Sequence, residues 1–154
     1  MSDPAIRARP LAPDNDPAAI EHLKMIQAVI TRLAGNSAQC KTWCIAITTA
    51  IVAFAGAVQD ENIVAVAIVP LAIFGFLDAA YLGHERAYRR LYNDIAAKIR
   101  DGRYAPSDRF VLGAPAGAGD YVKAFGSWSV WPVYLGLIAA YVIIRLIGLY
   151  TYTA

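Results

Sequence analysis

Residues 43–83 read WCIAITTAIVAFAGAV, then QDEN, then IVAVAIVPLAIFGFLDAAYLG, and this stretch decides the fold. The first run, 43–58, contains no charged residue, and the second, 63–83, contains only Asp78. A helix rises about 1.5 Å per residue, so the second run can cross a hydrocarbon core of about 30 Å and the first is slightly short. With the polar turn 59–62 between them, the two runs predict an antiparallel transmembrane hairpin.

The composition agrees with a membrane protein. Hydrophobic residues make up 58% of the chain and the mean hydropathy is +0.43, whereas apolar residues are about half of a typical soluble domain. Charged residues are 17% and are almost absent from three stretches. A net charge of +2 gives no reason to expect nucleic acid as a partner.

The sequence offers little chemistry for an enzyme or a metal site. Cys40 and Cys44 lie one helical turn apart, which is poor geometry for a disulfide. A site formed with His84 would lack an obvious fourth ligand. We find no Ser/His/Asp set and no paired carboxylates, so we predict no enzymatic activity, no catalytic residue, no metal and no cofactor.

Charged helical segments flank the hairpin. Asp16 and Pro17 are a helix-start signal, and apolar residues then recur every three or four positions through an amphipathic helix predicted over 17–42. A second apolar stripe predicts that the helix of 63–83 continues over 84–101, where the two amphipathic segments can pair. Two irregularities are expected: a kink or an end near residues 35–37, and a kinked or loosened helix at Pro70, in the middle of the second run.

The rest of the chain completes one membrane domain, 17–154. Residues 1–16 are predicted to be a disordered tail and 102–127 a loop. Residues 128–150 form a third apolar run interrupted by Arg145, with aromatic residues towards both ends. The predicted fold class is therefore all-α: an integral membrane helical bundle, with a transmembrane hairpin, cytoplasmic helical extensions and a third transmembrane helix. A re-entrant third run is the alternative.

The basic residues predict the orientation. Arg145 lies near the end of the third run, and the other 13 of the 14 Lys and Arg residues precede the first run or lie between the second and third. By the positive-inside rule these regions are cytoplasmic. We expect a multi-pass protein of the bacterial plasma (inner) membrane with a cytoplasmic N-terminus.

Asp78 is the most informative single residue, because a carboxylate within a span is costly and often functional. It lies near the predicted cytoplasmic boundary and could reach water or accept a bond from Thr48 or Tyr81. Asp78, Thr48 and Thr49 are the candidates for a pore or gate. Lys41, just before the first run, is expected to extend its ammonium to the interface.

Two further sets of residues suggest contacts. Small residues allow helices to approach closely in lipid, either within the hairpin or between copies, and the candidates are Ala46, Ala50, Ala53, Gly75, Ala79 and Gly83. A basic cluster at the expected headgroup level, Arg86, Arg89 and Arg90, favours anionic lipid.

The order of a long amphipathic helix (Ile20 to Leu33), a hairpin with an acidic turn (Trp43 to Gly83) and a charged continuing helix (Glu85 to Ile99) resembles the SLATT-like two-span membrane proteins of bacteria. The resemblance covers about half the chain, and the third run departs from it. It implies a pore-forming effector of a nucleotide-signalled conflict system.

Two functions are therefore expected. The first is a homo-oligomeric protein that forms or gates a pore. The second is an accessory or scaffold subunit that binds a partner protein through its cytoplasmic helices. Lipid is the partner common to both.

Overall fold

A computed structural model describes residues 16–152, with side chains except those of residues 61 and 147–152. The predicted tail 1–16 lies outside this range apart from Asp16. The described chain is all-helical, which confirms the all-α part of the prediction. Its four α-helices are α1 (Pro17–Val58), α2 (Ile68–Arg100), α3 (Ala118–Phe125) and α4 (Trp131–Tyr152), with short 3-10 helices at Glu61–Ala67 and Pro106–Asp108.

Helix α1 is a single rod of 42 residues, about 63 Å long. The Asp16 carboxylate accepts the Ala18 N–H at 3.0 Å, and Pro17 occupies the first turn, where a missing N–H costs nothing. Residues 35–37 remain helical, so the helix does not end there. The amphipathic and apolar halves of α1 are therefore continuous.

The turn between α1 and α2 begins within the predicted polar residues 59–62 and leads into a 3-10 helix. Gln59 ends α1 in the left-handed conformation (φ 54°), and the Asp60 carboxylate then accepts the Asn62 N–H at 2.9 Å. Residues Glu61–Ala67 are 3-10, and the α-helix begins only at Ile68. Pro70 consequently lies in the first turn of α2, where its missing donor is tolerated, and the backbone just before this turn is 3-10 instead of α-helical.

The antiparallel pair of α1 and α2 forms the body of the molecule. Towards their charged halves the core consists of Ala19, Ile26, Ile30, Ile95 and Ile99. A second cluster, between the apolar halves and α4, consists of Cys44, Leu71, Val130 and Tyr134. In the first cluster, residues of the same helix are four or seven positions apart, which is the spacing of one helical face.

Residues 102–127, expected to be a loop, contain the helix α3. Arg90 reaches across to Asp120 with two hydrogen bonds of 2.8 Å, and the ring of Tyr121 lies against Gly83. Further along, His22 on α1 is fully buried and bonds both Tyr104 Oη and the Val111 carbonyl at 3.0 Å. These contacts fix the segment along the charged half of the hairpin.

Two helices are long and apolar enough to cross a membrane, Pro17–Val58 and Asn62–Arg100. Only 17% and 33% of their most apolar stretches are buried in the described structure. Among the residues whose side chains are described, the apolar part of α4 is the shorter stretch Trp131–Leu146.

Candidate functional site: a buried ion pair between α1 and α2

An ion pair joins the two long helices. The side chain of Asp78, on α2, is fully buried, and the Lys41 ammonium, on α1, lies 2.7 Å from each of its carboxylate oxygens. Lys41 keeps 19% of its side chain exposed. The pair therefore lies at the edge of the apolar region, with the carboxylate inside and the ammonium partly in contact with solvent.

Ser37 completes the site. Its hydroxyl donates a short hydrogen bond to Asp78 Oδ1 and accepts one of 3.1 Å from the Lys41 ammonium. Ser37 and Lys41 are one turn apart, so the continuity of α1 through residues 35–37 is what places both opposite Asp78. Asp78 Oδ2 lies 2.7 Å from the ammonium, its close ionic contact among the described residues. The buried charge is thus compensated inside one chain.

The same face of α1 continues inward with small and weakly polar side chains. Cys40, Cys44 and Thr48 are buried on it, and the Cys44 thiol lies 3.9 Å from the Pro70 carbonyl. The Thr48 hydroxyl is buried and has no hydrogen-bond partner among the described residues. Across the described part of the chain, no group of three or more His, Cys, Asp or Glu side chains could hold a metal ion.

The three pore candidates therefore have different surroundings. Asp78 and Thr48 are buried within the helix pair, whereas Thr49 is exposed on the outside of α1. The partners suggested for Asp78 were Thr48 and Tyr81; its hydrogen-bond partners in the structure are Lys41 and Ser37.

The small residues also divide into two groups. On α2, Ala79 and Gly83 are buried and Gly75 lies against the ring of Tyr134. On α1, by contrast, the small residues are exposed on the outer face: Ala46, Ala50 and Ala53. The α2 set thus packs within the chain and the α1 set faces outward.

The basic cluster is partly neutralised. Arg89 pairs with Glu85 at 2.7 Å, and Arg90 forms the fork with Asp120. Arg90 and the Gly117 N–H, which both bond the Asp120 carboxylate, hold its pKa below the usual value. Arg86 instead donates to the Ser127 hydroxyl at 2.8 Å and has no carboxylate within 4 Å among residues 16–146 with described side chains.

The Lys41–Asp78 pair was not among the predictions, although the sequence indicates it. Lys41 lies just before the first apolar run and Asp78 lies near the end of the second. In an antiparallel hairpin these two positions are at similar depth, which places opposite charges on facing helices. His22 and its two partners come from distant parts of the chain, and no local pattern indicated them.

Comparisons with models of protein families, with curated proteins and with solved structures found no match for this chain.

Proposed function

We propose that this chain is a multi-pass protein of the bacterial inner membrane that acts as an accessory or scaffold subunit, by packing against other proteins and without catalysing a reaction. The Asp78–Lys41 pair is the observation that carries this proposal. It compensates the only charge in the apolar stretches 43–58 and 63–83 inside the chain. The outward faces of these stretches are then left for lipid and for other helices.

The exposed apolar side chains support insertion in a bilayer. Trp43 and Phe54 on α1 are each 59% exposed, and Phe76 on α2 is 61% exposed. Large continuous apolar patches are rare on soluble monomers. In a bilayer the same side chains face hydrocarbon, and Trp43 lies at the interface, where indole rings concentrate.

The proposed topology follows from the basic residues and from α4. The charged halves of α1 and α2, together with α3, are cytoplasmic because they carry the Lys and Arg residues. Helix α4 continues to Tyr152 and forms the third span. A cysteine introduced as Asp60→Cys should react with a membrane-impermeant maleimide added outside intact spheroplasts, and one introduced as Lys24→Cys should not. The native cysteines are buried, so they leave a low background.

The outer face of α1 is the proposed contact for a partner helix. Ala46, Ala50 and Ala53 are exposed there, and small residues let helices approach closely in lipid. The partner is the transmembrane helix of another protein. An Ala50→Leu substitution should disrupt this contact, and Val69→Leu, on an exposed part of α2, is its control.

A homo-oligomeric pore is the second candidate function, and Thr49 is the observation that favours it. Thr49 is exposed on α1 near the small residues, beside a hollow that α1 forms with α4. An assembly of several copies could place its hydroxyl on a water-filled path, whereas three helices of one chain cannot enclose such a path.

Native mass spectrometry in mild detergent, combined with ion flux from vesicles, tests the two functions. An accessory subunit should give a monomer or a small complex, no flux, and unchanged assembly in Asp78→Asn. A closed assembly of four or more copies with flux that Thr49→Val reduces would instead establish the pore and refute the accessory role.

A further inference from the structure

An apolar groove runs between α2 and α4 on the outside of the molecule. Its volume is about 430 Å³, which is within the usual range for ligand sites. One end lies between Ile68 and Val142, and the other lies at Phe76, Phe125 and Trp131. The rings of Phe76 and Phe125 are 6.0 Å apart at this second end, which points towards the charged half of α2.

From Ile68 to Phe76 the axis of α2 advances about 12 Å, and the side chains that line the groove along this length are almost entirely apolar. An extended hydrocarbon chain suits a lining of this kind.

A cation lies beyond the charged end of the groove. Arg86 bonds Ser127, which is two residues after Phe125 and three before Val130, both of which line the groove. This bond uses one of the five N–H donors of the guanidinium. Arg86 has no carboxylate within 4 Å among the described side chains, unlike its neighbours Arg89 and Arg90. Trp128, which is 87% exposed, directly follows Ser127 in the chain.

We infer that this groove and Arg86 form a binding site for one anionic phospholipid. An acyl chain occupies the groove between α2 and α4, and the phosphate lies at the Arg86 guanidinium. This inference rests on the proposed membrane location. It adds a defined lipid site, in which Arg86 is distinct from the paired arginines of the same cluster.

Native mass spectrometry of the full chain tests the site after incubation in micelles with equal amounts of phosphatidylglycerol and phosphatidylcholine. The wild type should retain one phospholipid and prefer phosphatidylglycerol by about five-fold, the effect of one cation at an anionic surface. Arg86→Gln should remove the preference. Arg89→Gln should keep it, and Ser127→Ala should also keep it, because the cation remains.

A second pair of variants tests the groove itself. Ala72→Phe fills the groove and should abolish lipid retention, whereas Ile73→Phe, on an exposed position outside the lining, should not. Ala72→Leu should give a partial loss, which covers the case that the phenylalanine variant fails to fold. Equal retention in the Ala72 and Ile73 variants, or loss of preference in Arg89→Gln as large as in Arg86→Gln, would overturn the inference.

Alkaline carbonate extraction separates this failure from failure of the proposed function. A chain that stays in the membrane pellet but retains no lipid contradicts the lipid site alone. A chain that is released without detergent contradicts both the membrane location and the lipid site.

Discussion

Replacing Lys41 by methionine should destabilise the helix pair far more than its partly exposed position suggests. The substitution keeps most of the side-chain volume and removes the ammonium that lies 2.7 Å from both oxygens of Asp78. The carboxylate is fully buried and would keep only the hydroxyl of Ser37 as a partner. An uncompensated charge in such a place is strongly unfavourable.

The size of the effect follows from the burial of the two groups. Removing one partner of a buried ion pair typically costs about 3–5 kcal/mol. Since Lys41 retains 19% exposure, water screens part of the interaction and we expect the lower end, about 3 kcal/mol, or roughly a hundred-fold in the folding equilibrium constant. Asp78→Asn keeps a group that can bond Ser37 and should cost less, about 1–2 kcal/mol.

The assay is reversible unfolding in mixed micelles of mild detergent and sodium dodecyl sulfate, followed by circular dichroism. The double variant Lys41→Met/Asp78→Leu should recover most of the loss, because replacing both charges by apolar groups removes the uncompensated charge. Lys24→Met, on an exposed residue of the same helix, is the control. A Lys41→Met protein as stable as the control, or additive effects in the double variant, would refute the conclusion that the ion pair stabilises the hairpin.

Three further predictions concern the charged halves of α1 and α2 and the segment packed along them. A Cβ at Gly83 would lie 3.1 Å from the Tyr121 ring, so Gly83→Ala should destabilise the docking of α3 by about 1 kcal/mol. Gly35 has open space around it, so Gly35→Ala should stabilise α1. Limited proteolysis of 102–127 and thermal unfolding distinguish the two variants. The pKa of Asp120 is lowered in the folded protein, so its stabilising contribution is complete above its unfolded pKa of about 4 and is lost as the pH falls through the lowered folded value. Asp120→Asn should therefore flatten the acid side of a hydrogen-exchange profile for α3. An unchanged profile would argue against the Arg90–Asp120 contact. His22→Leu leaves the Tyr104 hydroxyl and the Val111 carbonyl without their partner and should lower the free energy of unfolding by about 2 kcal/mol, as followed by thermal unfolding. A loss no larger than that of Lys24→Leu would contradict a stabilising role of these two hydrogen bonds.

The helical class could be predicted because its signals are local. The apolar runs around residues 43–83 and the stripe that includes Ile26, Ile30, Ile95 and Ile99 depend only on helical periodicity. The start of α1 was equally local, since Asp16 and Pro17 act on the first turn alone. These features need no knowledge of the rest of the chain.

The errors arose where distant contacts decide the local structure. Residues 35–37 suggested a break, but the contacts of Ser37 and the following turn with Asp78 favour an unbroken α1. Pro70 suggested a kinked or loosened helix in mid-span, whereas the irregular 3-10 segment lies before it and the α-helix begins at Ile68. The helix α3 lies in a segment of low local propensity, and the contacts of Asp120 and Tyr121 with α2 support it.

The position of Asp78 connects these findings with function. A carboxylate in an apolar stretch is usually taken as a functional group, but here its two oxygens face an ammonium and a hydroxyl of the same chain. A pore or relay needs a charge that meets water or a moving ion, whereas this one is neutralised by Lys41 before any second protein arrives. The exposed residues of α1 include Thr49, near small residues that suit a neighbouring helix. The outward surface of α1, more than the buried carboxylate, is therefore where the activity of this protein is to be sought.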